Sequence, residues 1–200
     1  MKPWDYHSDL TKDRLIKVAQ LLAAGRGIAL DRFDPTIGDN SWTSGVCAYG
    51  YGCFQVIQAA GRPGFEWLAV PDPSLRFLFR MGEVALRFFR GTAANPRANV
   101  LEQSLVELEQ FSLMLEETVS LDQVKFRIAV ETDSDGYPLQ ISFVAIRGDM
   151  PETIWPIPYE SAPPLIVPID EEKPEGRELG APPVGFPSEE EETGTDDKDH

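Results

Sequence analysis

The stretch LRFLFRMGEVALRFFR, residues 75–90, is the strongest structural signal in the chain. It contains two runs of alternating apolar residues: Leu75, Phe77 and Phe79, then Val84, Leu86 and Phe88. Alternation with a period of two is typical of a strand that is buried on one face only. Met81-Gly82 separates the runs and suits a tight turn. The stretch therefore predicts a β-hairpin with one buried and one solvent-facing side.

Strand patterns also lie on both sides of this hairpin. Glu66–Val70 predicts a strand that ends at Pro71-Asp72-Pro73-Ser74, a strong turn signal. Further along, Lys125–Thr132 and Leu139–Ile146 predict a second hairpin across residues 133–136. Because strands joined by short turns pair antiparallel, these patterns predict a mainly antiparallel sheet of about five strands.

About three helices are predicted around these strands. The first spans residues 11–24 and ends before Gly25; residues 31–46 are rich in Asp, Gly, Asn, Ser and Thr and predict a loop. A short helix follows at 52–60, and the longest begins at Asn95-Pro96 or at Asn99, where Glu102 three residues later suits a capping box. Its apolar stripe consists of Leu101, Leu105, Leu108, Phe111 and Leu115. The element order predicts an α+β fold in which this long helix covers one sheet face.

The composition changes after Gly148. Ten of the 17 prolines lie between residues 151 and 187, and proline donates no backbone hydrogen bond. We therefore divide the chain into an α+β globular domain at 1–148, an extended proline and aromatic segment at 149–169, and a disordered acidic tail at 170–200. The tail has too few apolar side chains to offset the entropy of ordering.

The net charge excludes some partners. The chain has 18 Lys and Arg against 33 Asp and Glu, hence −15, of which −9 falls in residues 170–200 with 12 acids and three bases. Such a chain has no general attraction to phosphate backbones, so direct nucleic-acid binding is not expected. The N-terminus lacks the apolar core of a signal peptide, and no run approaches 18 apolar residues, so no membrane association and a cytoplasmic location are expected.

Neither a catalytic residue nor a cofactor is predicted. Cys53 stands at the start of a predicted helix, where a thiol pKa can fall, but the only histidines are His7 and His200, so a small buried residue is the favoured interpretation. Cys47 and Cys53 lack the spacing and the further ligands of a zinc site. No glycine-rich nucleotide-binding motif is present.

The acidic residues near position 133 leave a metal-site hypothesis open. Glu131, Asp133, Asp135 and Gly136 have the spacing that opens a calcium loop, but Ser142 stands where a bidentate Glu is needed. Asp and Gly are also the expected residues of a hairpin turn, which is the favoured interpretation. The sequence predicts no metal site.

Five residues are candidates for binding a partner. Arg76, Arg80 and Arg87 should share the exposed face of the 75–90 hairpin, either as an anion or partner patch or as an ordinary solvated face. Trp155 and Tyr159 belong to a strip that is too apolar for a plain linker. That strip can pack on its own domain or dock on another protein.

The sequence thus favours a non-enzymatic protein-interaction or regulatory module with an unidentified protein partner. One alternative is a metal-dependent hydrolase whose site gathers dispersed acids and arginines. Another is an acidic competitor that mimics nucleic acid and blocks a basic protein.

Overall fold

A computed structural model describes residues 1–103 and 124–159. The α+β class is confirmed, with helices packed on one sheet. The helices are α1 Pro3–Tyr6, α2 Lys12–Asp31, α3 Ser41–Ala60 and α4 Ala98–Leu101, with a 3₁₀ turn at Pro35–Ile37. The strands are β1 Leu68–Asp72, β2 Leu78–Met81, β3 Val84–Arg90, β4 Val124–Thr132, β5 Pro138–Arg147 and β6 Met150–Pro156.

The six strands lie side by side in sequence order from β1 to β6. Neighbouring strands are antiparallel except β3 and β4, which are parallel and place Arg87 opposite Arg127. The expectation of a mainly antiparallel sheet of about five strands is confirmed, with six strands observed; the one parallel pair was not expected. The physical reason is the long connection 91–123, which allows the chain to return to the end where β3 begins.

The sixth strand comes from the proline and aromatic segment. Residues Met150–Pro156 pair with β5 after a turn at Gly148, whose φ is 60°. Proline is compatible with an edge strand because one side of that strand has no ladder to join. The sheet therefore continues past Gly148, while the domain limits at 148 and 169 stay predictions. The tail at 170–200 lies outside the described residues.

Both long helices extend further than predicted. α2 passes through Gly25 and ends at Asp31, and α3 already begins at Ser41, within the expected loop. Asn40 starts α3, since its Oδ1 accepts hydrogen bonds from the backbone N–H groups of Trp42 at 2.9 Å and Thr43 at 3.2 Å. Gly25 lies at a close approach of the two helices rather than at a helix end.

The described part of the predicted third helix is shorter than expected, because the chain leaves the helical conformation at Glu102, whose ψ is 136°. α4 covers Ala98–Leu101, and its N-cap is Arg97, without a side-chain capping bond. The helix therefore begins between the two predicted starts, Asn95-Pro96 and Asn99, and neither Asn95 nor Asn99 is its N-cap. The predicted stripe residues from Leu105 to Leu115 all lie outside the described residues.

Side chains are buried on both faces of the sheet. The main core lies against α2 and α3 and includes Phe77, Phe79, Leu86, Ile128 and Phe143. The opposite face buries Phe89, Ala93, Val100, Ala129, Val144 and Ile146. The expectation of one wet face is therefore wrong.

Leu75 also departs from its predicted place, because it precedes β2 and is 91% exposed instead of joining Phe77 in the core. Within the described ranges, no helix combines the length and apolar character needed to cross a bilayer.

Candidate protein-binding surface

The helix α3 lies within a long uncharged stretch. Residues 40–61 contain no Asp, Glu, Lys, Arg or His, although 26% of the whole chain is charged. One side of α3 meets the core through Ala48, Gly52, Val56 and Ala59. Surface helices ordinarily carry charged residues on the opposite side. This helix therefore presents an unusual outer face.

That outer face exposes large apolar side chains. Trp42 is 72% exposed, Val46 53%, Phe54 51% and Ile57 39%. These positions, together with the exposed Gly50, recur at intervals of three or four residues and so fall on one side of the helix. We call this set the outer face of α3. Contiguous apolar surface of this kind marks interaction sites in proteins.

A shallow cavity of about 540 Å³ adjoins the outer face. It lies between α2 and α3, with Ile28 and Arg32 on one side and Cys47 and Phe54 on the other. The guanidinium of Arg32 stands 5.8 Å from the centre of the Tyr51 ring, a cation–π contact. The surface thus offers a place for a partner side chain beside the apolar helix.

The helix α3 packs closely on α2 beside this surface. A Cβ added to Gly25 would stand 2.6 Å from the backbone nitrogen of Gly52, so the two helix backbones are in direct contact. A surface that is held in place before binding loses less conformational entropy when a partner arrives.

The predicted arginine face is only partly exposed. Arg76 is exposed, and its Nη2 lies 3.9 Å from the carboxylate of Glu102. Arg80 and Arg87 are half-buried beside Leu78 and Ala85, which are both buried. The expectation that all three arginines share an exposed face is therefore wrong, because that face of the sheet is covered.

Two arginines instead support the chain segment around α4. Nη1 of Arg87 donates to the carbonyl of Glu102 at 3.1 Å, and Nε of the buried Arg127 donates to the carbonyl of Val100 at 3.0 Å. Arg97 joins them around a cleft of about 240 Å³. Sequence reasoning missed Arg127, since nothing in the pattern of β4 distinguishes it from the neighbouring Lys125.

Trp155 and Tyr159 pack against their own domain. The Trp155 ring meets the Trp4 ring edge to face, with centroids 5.4 Å apart. Tyr159 is half-buried against the main core, and burial raises its pKa above the ordinary value of 10.0. Whether either residue also contacts a partner stays a prediction.

Cys53 does not stand at a helix start. It lies in the middle of α3, half-buried, and burial raises the pKa of its thiol to about 11. A raised pKa leaves little thiolate at neutral pH, which is the opposite of what a nucleophile needs. It packs against the main core as a partly buried side chain, so the interpretation as a small buried residue stays a prediction.

The acidic residues near position 133 form the turn between β4 and β5. Asp133 Oδ1 accepts a hydrogen bond from the backbone N–H of Tyr137 at 2.8 Å, and Gly136 has a left-handed φ of 92°. Glu131 instead accepts from the backbone N–H of Ala93 at 2.7 Å. Within 1–103 and 124–159, no group of three or more His, Cys, Asp or Glu side chains is placed to hold a metal ion.

Comparison with known proteins returned no match from the family models, from the curated proteins or from the solved structures. Among the described residues, the outer face of α3 is the surface with the clearest functional signature. The signal was already in the sequence as 22 consecutive positions, 40–61, without a charge.

Proposed function

We propose that this protein is a protein-interaction module that binds a protein partner through the outer face of α3. The proposal rests on a single observation. Trp42, Val46, Phe54 and Ile57 are exposed on one side of a helix without any charged residue. Fully burying one such side chain stabilises a complex by about 1.5–3 kcal/mol, and these side chains are already partly covered. Burial of all four side chains would therefore contribute a substantial part of the free energy of binding to a protein partner.

The residue types favour a protein partner. Tryptophan is among the residues that contribute most to protein–protein binding, and Trp42 is the most exposed of the four. The flanking guanidinium of Arg32 adds a polar contact at the rim, an arrangement typical of such interfaces. A small cofactor would instead need a deep pocket, whereas this surface is an open helix face.

The alternatives receive less support from the described residues. A metal-dependent hydrolase needs converging carboxylates, and those of Glu131 and Asp133, at the end of β4 and in the β4–β5 turn, accept hydrogen bonds from backbone N–H groups. Arg87 donates to a backbone carbonyl within its own chain. An acidic competitor would act through carboxylates, and the outer face of α3 has none.

Site-specific cross-linking tests the proposal. The full chain carries the photo-reactive residue p-benzoylphenylalanine in place of Phe54, and the matched control carries it in place of Leu139, which is 69% exposed on β5. We expect a discrete adduct on irradiation in native host cells only from position 54. The mass of the adduct shows whether the partner is a second copy or a different protein. Identical patterns from both positions, or no adduct from either, would refute the proposal.

A charge placed in the surface gives a second readout. With the photo-reactive residue in place of Trp42, Val46→Glu should abolish the adduct, because burying an unpaired carboxylate is costly. Leu139→Glu in the same background should leave the adduct unchanged. Since Val46 is half exposed in the free protein, its substitution should change the melting temperature little. An adduct that survives Val46→Glu would show that the partner sits elsewhere.

A further inference from the structure

A second cavity lies near the beginning of α3 and is separate from its outer face. Its volume is about 520 Å³, within the size range of sites for small organic ligands. Side chains from α2, α3, β3 and the β4–β5 turn line it. Two of them are arginines, Arg26 and Arg90, in a chain whose net charge is −15.

Arg26 is the unusual member of this cavity. It is 4% exposed, and its Nε donates to the carbonyl of Gly136 at 2.6 Å. In the described part of the chain, its terminal nitrogens make no hydrogen bond and no carboxylate lies within ion-pair distance. Burial and the charge of Arg90 both lower the pKa of Arg26, whereas Asp133 raises it. The side chain is largely buried while its terminal nitrogens face the cavity, so an anion in the cavity would stabilise this guanidinium.

Arg90 brings a second guanidinium to the same cavity. It ends β3 and is exposed, and its Nη1 lies 3.3 Å from where a Cβ of Gly45 would stand, beside the first turns of α3. No hydrogen bond or ion pair of Arg90 is present among the described residues. Two guanidinium groups that repel each other across a cavity are both stabilised when an anion lies between them.

Hydroxyl groups complete the donor set. Ser41 and Ser44 are three residues apart in the first turns of α3, hence on one side of the helix, and both line the cavity. The positive end of the α3 dipole lies there too. Asp135 also lines the cavity. Its carboxylate and that of Asp133, which acts on Arg26, offset the charges of the two arginines, so the site is defined by its hydrogen-bond donors and not by a net positive charge.

We propose that this cavity binds a small phosphate monoester, with the phosphoryl group between Arg26 and Arg90. A phosphoryl group has three acceptor oxygens and about two negative charges at pH 7, which matches two guanidinium groups and adjacent hydroxyls. The cavity is larger than the phosphoryl group alone, and Phe33 and Tyr137 line the remainder. An organic part with apolar or aromatic character fits there. The proposal is independent of the outer face of α3.

Calorimetric titration of the full chain tests this site with three probes: phenyl phosphate, inorganic phosphate and benzoate. We expect phenyl phosphate to bind, inorganic phosphate to bind more weakly, and benzoate to give no heat. Arg90→Gln should weaken phenyl phosphate binding at least about tenfold, as for the loss of charged hydrogen bonds. Ser44→Ala should weaken it about threefold.

Two controls separate the cavity from general charge effects. Arg97→Gln removes an arginine from the neighbouring cleft, and Arg62→Gln removes one that follows α3; neither lines the cavity. Both variants should bind phenyl phosphate like the unsubstituted chain. Equal loss of phenyl phosphate affinity in Arg90→Gln and Arg97→Gln would overturn the proposal. So would the absence of any heat of binding with phenyl phosphate at about 10 mM, a concentration that detects even a millimolar dissociation constant. Binding of benzoate as tight as that of phenyl phosphate would overturn the choice of a phosphate ester.

Discussion

The contact between α2 and α3 depends on a missing side chain, which makes Gly25→Ala a quantitative test. A Cβ at position 25 would lie 2.6 and 2.7 Å from the nitrogen and Cα of Gly52, and 2.8 Å from the carbonyl carbon of Tyr51. These backbone atoms cannot rotate away, so the overpacking cost lies near the upper end of its usual range, about 3 kcal/mol. Alanine recovers about 1 kcal/mol through helix propensity. We expect a net loss of about 2 kcal/mol.

Gly27→Ala is the matched control. Gly27 is two residues further along the same helix, and an added Cβ would meet nothing within 4 Å. The same substitution should there stabilise the protein by about 1 kcal/mol. Thermal unfolding followed by circular dichroism should show a melting temperature lowered by about 4–8 °C for Gly25→Ala and raised by about 2–4 °C for Gly27→Ala. Urea unfolding followed by tryptophan fluorescence gives the free energies directly.

The opposite signs are the essential result. A Gly25→Ala variant as stable as the unsubstituted chain would mean that α2 and α3 do not touch at this point. The close approach of α2 would then not hold α3 in place. A loss of similar size for Gly27→Ala would show that helix propensity has been misjudged and that the contact is not the cause.

Further predictions concern the β2–β3 turn, the cysteines, one carboxylate and the tail. Gly82→Ala should lower the melting temperature by several degrees, because φ is 59° and a Cβ would overlap the Asp9 carboxylate. At about pH 8 iodoacetamide should alkylate the exposed Cys47 and spare Cys53, whose pKa is about 11, as read by mass spectrometry. A hydrogen bond from a backbone N–H and an arginine lower the pKa of Asp9 below 3.8, so its stabilisation is complete above that pH and is lost as the pH falls through the folded-state value. The gap in melting temperature between the unsubstituted chain and Asp9→Asn should therefore shrink toward about pH 2. Deleting residues 170–200 should leave the melting temperature within about 2 °C, because that stretch has few apolar side chains to bury.

Each of these predictions can fail in a specific way. Unchanged melting of Gly82→Ala would place the turn differently. Equal alkylation of both cysteines would show that Cys53 is not shielded. If the difference in melting temperature between the unsubstituted chain and Asp9→Asn did not depend on pH, the charged contacts of Asp9 would not stabilise the fold. A melting temperature lowered by many degrees on deleting 170–200 would show that the folded domain extends into that stretch.

The strands were largely predictable because their signal is local. β3 spans Val84–Arg90 as the alternation indicates, and β4 begins at Val124, one residue before the predicted start. The partner of each strand is a non-local property. The parallel pairing of β3 with β4 and the addition of β6 depend on how distant segments meet, and periodicity carries no information about that. Gly25 was misjudged for the same reason, since a glycine at a helix crossing and one at a helix end look alike in sequence.

The outer face of α3 was not predicted, for a different reason. Arginines and tryptophans stand out by their residue type, whereas an apolar helix face contains no charged or reactive group. The burial of Arg80 and Arg87 depends on what covers the second face of the sheet, which one hairpin cannot reveal. By contrast, the outer face of α3 was accessible from the sequence, because an uncharged stretch long enough for 20 residues of helix is rare on a protein surface.

The single parallel seam between β3 and β4 also bears on how the chain reaches its native state. On each side of the seam, three strands are joined only by hairpins, so each trio can assemble from near neighbours along the chain. Joining the trios requires closing the long connection 91–123, and loop-closure entropy slows contacts of that kind. We expect the seam to be the last part of the sheet to acquire hydrogen-exchange protection during refolding.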